Sequence, residues 1–216
     1  MSEYVQPVIH DVSLALSSHT VVYPGDRVPH IERISDIQLG DSLTNSHLSI
    51  GCHVGTHIDA PSHFLADKWN VNQLPLRSFY GPAVVINMTD RTRVELSDLV
   101  SLKLPSHHHL LFKTDNSPLL RTPMFHSSYC TLSEEAAAFL CEWNPLSIGW
   151  DYYSLDPCDS DGFWAHTCFA KHNIPVFVCL DLFRIDPRAY HFIGLPLRLE
   201  GVEASPVRAL LIDEHL

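Results

Sequence analysis

The run Val176-Phe177-Val178-Cys179-Leu180, shut off upstream by Pro175, restricts the fold more than any other stretch. It is too short for a helix of ordinary length and too apolar for an exposed loop, so it reads as a buried strand. Val8 to Leu16, Ala83 to Met88, Leu110 to Lys113, Gly194 to Leu199 and Val207 to Ile212 read as further strands. Leu48 to Val54 alternates apolar and polar residues and reads as a half-buried strand. Helices are fewer. Leu132 to Trp143 has Thr131 or Ser133 to cap it, Glu134 and Glu135 in its first turn, and Ala136 to Leu140 with strong propensity. Phe163 to His172 follows Asp161-Gly162 as a second helix, and Tyr23-Pro24-Gly25-Asp26 is a turn. Short strands alternating with a few helices predict an α/β chain, a β-rich mixed sheet with helices packed on it. At 216 residues it suits a single domain over 1–216.

Composition removes several function classes. The chain is 45% apolar, enough to bury a core, yet no apolar run reaches the ~18 residues that span a bilayer. Met1 to Val8 lacks a basic segment followed by an apolar one, so no export signal and no membrane partner are expected. The net charge of −11, with no basic stripe, argues against nucleic acid, whose binding draws on phosphate neutralisation by Lys and Arg. None of the six cysteines forms a C-x-x-C pair, which fits reduced thiols and a cytoplasmic location. Cys52 and Cys179 read as small buried hydrophobes. The run His107 to His109 reads as a solvated loop.

Histidine carries the chemistry. The segment His53-Val54-Gly55-Thr56-His57-Ile58-Asp59-Ala60-Pro61-Ser62-His63-Phe64 holds three imidazoles and a carboxylate. Gly55, Thr56 and Pro61 argue against a regular helix. A strand that breaks into a tight turn is expected, with Gly55 at the bend and His57 and Asp59 on the same face of an extended stretch. Two imidazoles and one carboxylate make a metal set that leaves coordination positions open, as catalytic zinc sites do, and the donors also suit manganese. His63, beyond the rigid Pro61, is placed to shuttle a proton. Trp150, Tyr152, Tyr153, Phe163 and Trp164 are candidates to face a flat ring or to serve the core. Asp151, Ser154 and Asp156 read as turn and cap residues.

The H-x-G-T-H-x-D-x-P-x-H pattern over residues 53–63 resembles that of the cyclase-like metal-dependent hydrolases, which include bacterial kynurenine formamidase, isatin hydrolase and trans-dienelactone hydrolase. The likeness extends to Asp11-Val12-Ser13, to Tyr23-Pro24-Gly25-Asp26 as a substrate-side loop, to the G-x-D-x-x-S-x-D segment beginning at Gly149, to Ala165-His166 and to Ser205-Pro206-Val207-Arg208. The resemblance implies a swivelling β/β/α domain, a homodimer or larger, acting on a small molecule. It implies that His53, His57 and Asp59 bind a divalent zinc or manganese ion, that His63 transfers protons, and that His166 is a second-site ligand or a substrate contact. Two-metal relatives carry a glutamate in the strand after the I-P pair. Ile174-Pro175 puts Val178 there, so one metal per chain is expected rather than two. The expected activity is hydrolysis of an amide, formamide, lactam or lactone by metal-activated water. A biosynthetic cyclase or dehydratase, or a weakened ligand-binding homologue, remains as an alternative.

Overall fold

The computed structural model describes residues 7–213; the first six residues, and with them most of the Met1 to Val8 segment read for an export signal, lie outside the described residues. The strands are β1 (Ile9–Asp11), β2 (His30–Ser35), β3 (Asn45–Ser49), β4 (His57–Asp59), β5 (Tyr80–Asn87), β6 (Arg93–Val94), β7 (His109–Lys113), β8 (Thr131–Leu132), β9 (Ser147–Trp150), β10 (Val176–Val178), β11 (Ala189–Pro196) and β12 (Ala204–Asp213). The helices are α1 (Leu96–Leu99), α2 (Glu134–Glu142) and α3 (Trp164–Lys171). None of them is long and apolar enough to cross a membrane.

The main sheet is mixed, as expected, in the order β1-β12-β11-β5-β7-β9-β10-β4. β4 pairs on its other side with β12, His57 opposite Pro206 and Asp59 opposite Ala204, so the sheet closes on itself like a barrel. β5, β7, β9 and β10 run parallel, with antiparallel strands completing the circuit. The period of two along each strand divides the core. Ala83, Val85, Leu111, Phe177, Phe192, Ala209 and Leu211 fill the enclosed side. Ile86, Leu110, Phe112, Ile148, Trp150, Val176 and Val178 face α2 and α3. Gly149 lies between Ile148 and Trp150, where a Cβ would collide with the side chains of Leu111 and Leu180.

Both main helices form where the sequence places them. Ser133 caps α2, its hydroxyl accepting from the Ala136 amide at 3.1 Å. Strand limits differ more. The strand expected over Val8 to Leu16 stops at Asp11, because the Leu14 amide turns away to bond Thr56 Oγ1 at 2.8 Å. The strand expected over Leu48 to Val54 is corrected: β3 ends at Ser49, is exposed along its length, and gives way to turns. Its alternation belongs to a β2–β3 hairpin outside the main sheet. β10 ends at Val178, because Cys179 adopts a left-handed φ of 56°. β11 begins at Ala189, earlier than expected, with Tyr190 and Phe192 pointing inward. His109 is also corrected: it is fully buried in β7 and not in a solvated loop. Cys52 is half-buried, unlike Cys179, which is buried.

Candidate metal centre and active-site cavity

The motif's spacing is realised by a turn that hands the chain into β4. Gly55 has φ of 60°, and a Cβ there would lie 2.5 Å from Leu16 Cδ2, so glycine is required twice over. Thr56 staples the turn: its hydroxyl donates to the Cys179 carbonyl at 2.7 Å and accepts from Leu14. His57 and Asp59 then occupy β4, opposite Val178 and Val176 of β10, and all four side chains share the helix-facing side of the sheet. Pro61 opens a short 3-10 turn that carries His63.

Three donor atoms converge. His53 Nδ1 lies 2.9 Å from Asp59 Oδ1 and 3.3 Å from His57 Nε2, and His57 Nε2 lies 3.4 Å from the same carboxylate oxygen. His57 Nδ1 donates to the Gly55 carbonyl at 2.7 Å, which fixes the tautomer that leaves Nε2 free for a metal. Asp59 Oδ1 is buried and has no well-aligned hydrogen-bond partner despite the nearby imidazoles. A buried carboxylate oxygen held close to two ring nitrogens, yet satisfied by neither, fits a ligand for a cation. The donor set of two imidazoles and one carboxylate suits zinc or manganese.

The electrostatics agree. Burial works against the charge of Asp59, but His57 and His53 outweigh it and hold the carboxyl well below its usual range. Burial likewise opposes the charge of His53. Asp59, together with Glu203, whose Oε1 is 3.1 Å from His53 Nε2, overcomes that and raises His53 to about 9. The carboxylates thus draw positive charge to the spot a dication would take. His63 behaves oppositely: burial, with the charges of His53 and His166, pushes it down to about 4, so its imidazole is neutral at pH 7.

These groups form one wall of a cavity of about 430 Å³. His63 stacks near His53, ring centroids 4.1 Å apart, and His166 lies against Phe64 at 4.7 Å. Asp156 sets the position of His166. Its carboxylate accepts from the Ala165 and His166 amides, capping α3, and from His166 Nδ1 at 2.5 Å. Tyr23, Asp26, Tyr153, Ser154 and Phe163 complete the lining. Of the aromatics singled out in the sequence, Tyr153 and Phe163 reach the cavity. Trp150 and Tyr152 are fully buried in the core, and Trp164 donates to the Leu132 carbonyl. Asp151 accepts four hydrogen bonds from Thr114 and Ser117 and braces the loop after β7. Sequence reasoning missed Phe64, Glu203 and the second task of Asp156. Phe64 directly follows the motif; Glu203 had no local signal at all.

Against known proteins, the family model named Cyclase matches residues 10–157. Kynurenine formamidase of Bacillus cereus is 31% identical over 201 residues, covering 93% of this chain and 95% of that protein. A predicted metal-dependent hydrolase from Bacillus stearothermophilus superposes with a TM-score of 0.85 at 25% identity, over 97% of this chain and 100% of that one. Isatin hydrolase A from Ralstonia solanacearum shares the fold, with a TM-score of 0.84 at 24% identity, over 96% and 92% of the two chains.

Proposed function

The chain belongs to the Cyclase family and is a metal-dependent hydrolase, and from that premise we propose that it cleaves the amide bond of an N-formylated or cyclic aromatic amide. The observation that carries this reading is the convergence of His53, His57 and Asp59 on the wall of a cavity that also holds Phe64, Tyr153 and Phe163. Rings of that kind suit a flat aryl substrate. A zinc or manganese ion held by His53, His57 and Asp59 would supply Lewis-acid chemistry, polarising the scissile carbonyl and lowering the pKa of water so that it could attack. His63, neutral and in the same cavity, accepts the proton of the attacking water and returns it to the leaving nitrogen. His166, with Nδ1 committed to Asp156, presents Nε2 to the substrate and meets charge that develops on the carbonyl oxygen.

One metal fits this centre better than two. Val178 faces the same side of the sheet as His57 and offers no oxygen, and Asp181 is engaged with Arg121 at 2.6 Å. A homo-oligomer is favoured by the β2–β3 hairpin, where Ile31, Ile34, Leu39 and Leu48 lie exposed. A cytoplasmic setting fits the free thiols.

The test is formate release from N-formylkynurenine, run beside isatin and a lactone. Turnover of one of the two amide substrates that chelation abolishes, and that zinc or manganese restores, is the expected result. Cleavage of the lactone alone, or amide cleavage that survives complete metal removal, would overturn the reading.

A further inference from the structure

A second group of ligating side chains lies away from the cavity, where α2 packs against α3. Cys141 of α2 and Cys168 of α3 bring their Sγ atoms to 3.4 Å, in van der Waals contact. His172, the residue that caps the C-terminus of α3 four positions after Cys168, has a ring nitrogen within 4.8 Å of both sulfurs. Its Nδ1 donates to the Cys168 carbonyl at 2.9 Å, which holds the ring against the last turn and leaves the neutral tautomer with its lone pair on Nε2. Cys141 is buried, Cys168 half-buried and His172 exposed, so the cluster has a closed floor and an open mouth.

We propose that Cys141, Cys168 and His172 form a second metal site, selective for a thiophilic divalent ion of the zinc class, that clamps α2 to α3. Two thiolates and an imidazole supply three of the four ligands of tetrahedral zinc, and the exposed mouth leaves the fourth position to water. Two thiolates also cancel the charge of a dication, which a half-buried site requires and a monovalent ion would not provide. The two centres differ in softness. The nitrogen and oxygen donors of His53, His57 and Asp59 accept manganese, whereas sulfur discriminates against it in favour of zinc and cadmium.

Cadmium is the probe, because only sulfur ligation gives the ultraviolet thiolate-to-metal charge-transfer band. Fully reduced wild-type protein titrated with cadmium should develop the band and bind one equivalent more cadmium than manganese. Cys168→Ser should lose that absorbance and that equivalent, while Cys52→Ser, altered beside the first centre, should keep both. Cys168→Ala serves as a second variant, and circular dichroism checks that each remains folded. Three results would overturn the site: no band in the reduced wild type, equal absorbance in wild type and Cys168→Ser, or a Cys141–Cys168 disulfide whose full reduction yields no metal uptake.

Discussion

Two imidazoles of the candidate site, His57 and His166, are aimed by neighbours that do no chemistry. The Gly55 carbonyl orients His57, Asp156 orients His166, and Thr56 ties the turn that leads into His57 to Cys179. His63 differs: its ring is held by packing, 4.1 Å from His53 and 4.3 Å from Phe64 between centroids, and it lines the cavity where a proton would be transferred. His63→Ala should therefore retain manganese and fold while turnover falls by ~10²–10⁴, the usual contribution of a positioned acid–base group. Full turnover in that variant would remove His63 from the mechanism. Counting manganese isolates the first centre from the thiols. Wild type should hold one equivalent, and Val178→Glu should move toward two if the added carboxylate reaches the shared face beside His57. A wild type holding two manganese ions would refute the single-ion reading. Most of this site was legible in the sequence, because its donors sit within one turn and one strand. Glu203 was not, because it meets His53 only where β12 closes the barrel.

Among the elements, the hairpin strands β2 and β3 are exposed along nearly their whole length and lie outside the main sheet. Val28, Ile31, Ile34, Ile37, Leu39, Leu43 and Leu48 are all exposed, Leu39 to 85%. Burying one such side chain contributes about 1.5–3 kcal/mol, so a second copy packed on this surface gains substantially. Light scattering should give a mass that is a multiple of the chain's. Ile34→Lys combined with Leu39→Lys should weaken association by at least ~10²-fold and shift the population toward monomer. A monomeric wild type, or an unchanged assembly in the double variant, would count against the interface. The same hairpin shows where sequence reading failed. Alternation at Leu48-Ser49-Ile50 has the period of a half-buried strand, but periodicity does not say which surface covers the apolar side. α2 and α3 were read to within two residues, since a cap, acidic first turn and helical run are local signals. β11 was read late although Tyr190-His191-Phe192 alternates as a half-buried strand does, and the closure of β4 on β12 is a long-range pairing that no local pattern encodes.

At the scale of the whole molecule, the closed sheet imposes a pH limit on stability. His109 points into the enclosed side, its ring 5.0 Å from Phe192, with Nδ1 bonded to Ser147 Oγ at 2.7 Å. Burial pushes it from 6.5 down to about 4, reinforced by the nearby His108 and His191 and opposed by the Tyr80 backbone. The sign follows from which state binds more protons. Below pH 6.5 the unfolded chain protonates this imidazole and the folded chain does not, so its contribution is fully present above 6.5 and is lost as pH falls toward 4. A depression of that size is worth roughly 3 kcal/mol in full and about 2 kcal/mol by pH 5, a sizeable share of a typical stability of about 5–15 kcal/mol. Other carboxylates and imidazoles, His63 among them, add their own pH dependence, so wild type alone cannot isolate the effect. His109→Gln keeps a polar group near Ser147 and removes the titration. Urea unfolding of both proteins in chelator, at pH 7 and pH 5, should show wild type losing about 2 kcal/mol more than the variant across that interval. Parallel losses in the two proteins would mean that His109 titrates alike in the folded and unfolded chains, and that acid opens the barrel at another group.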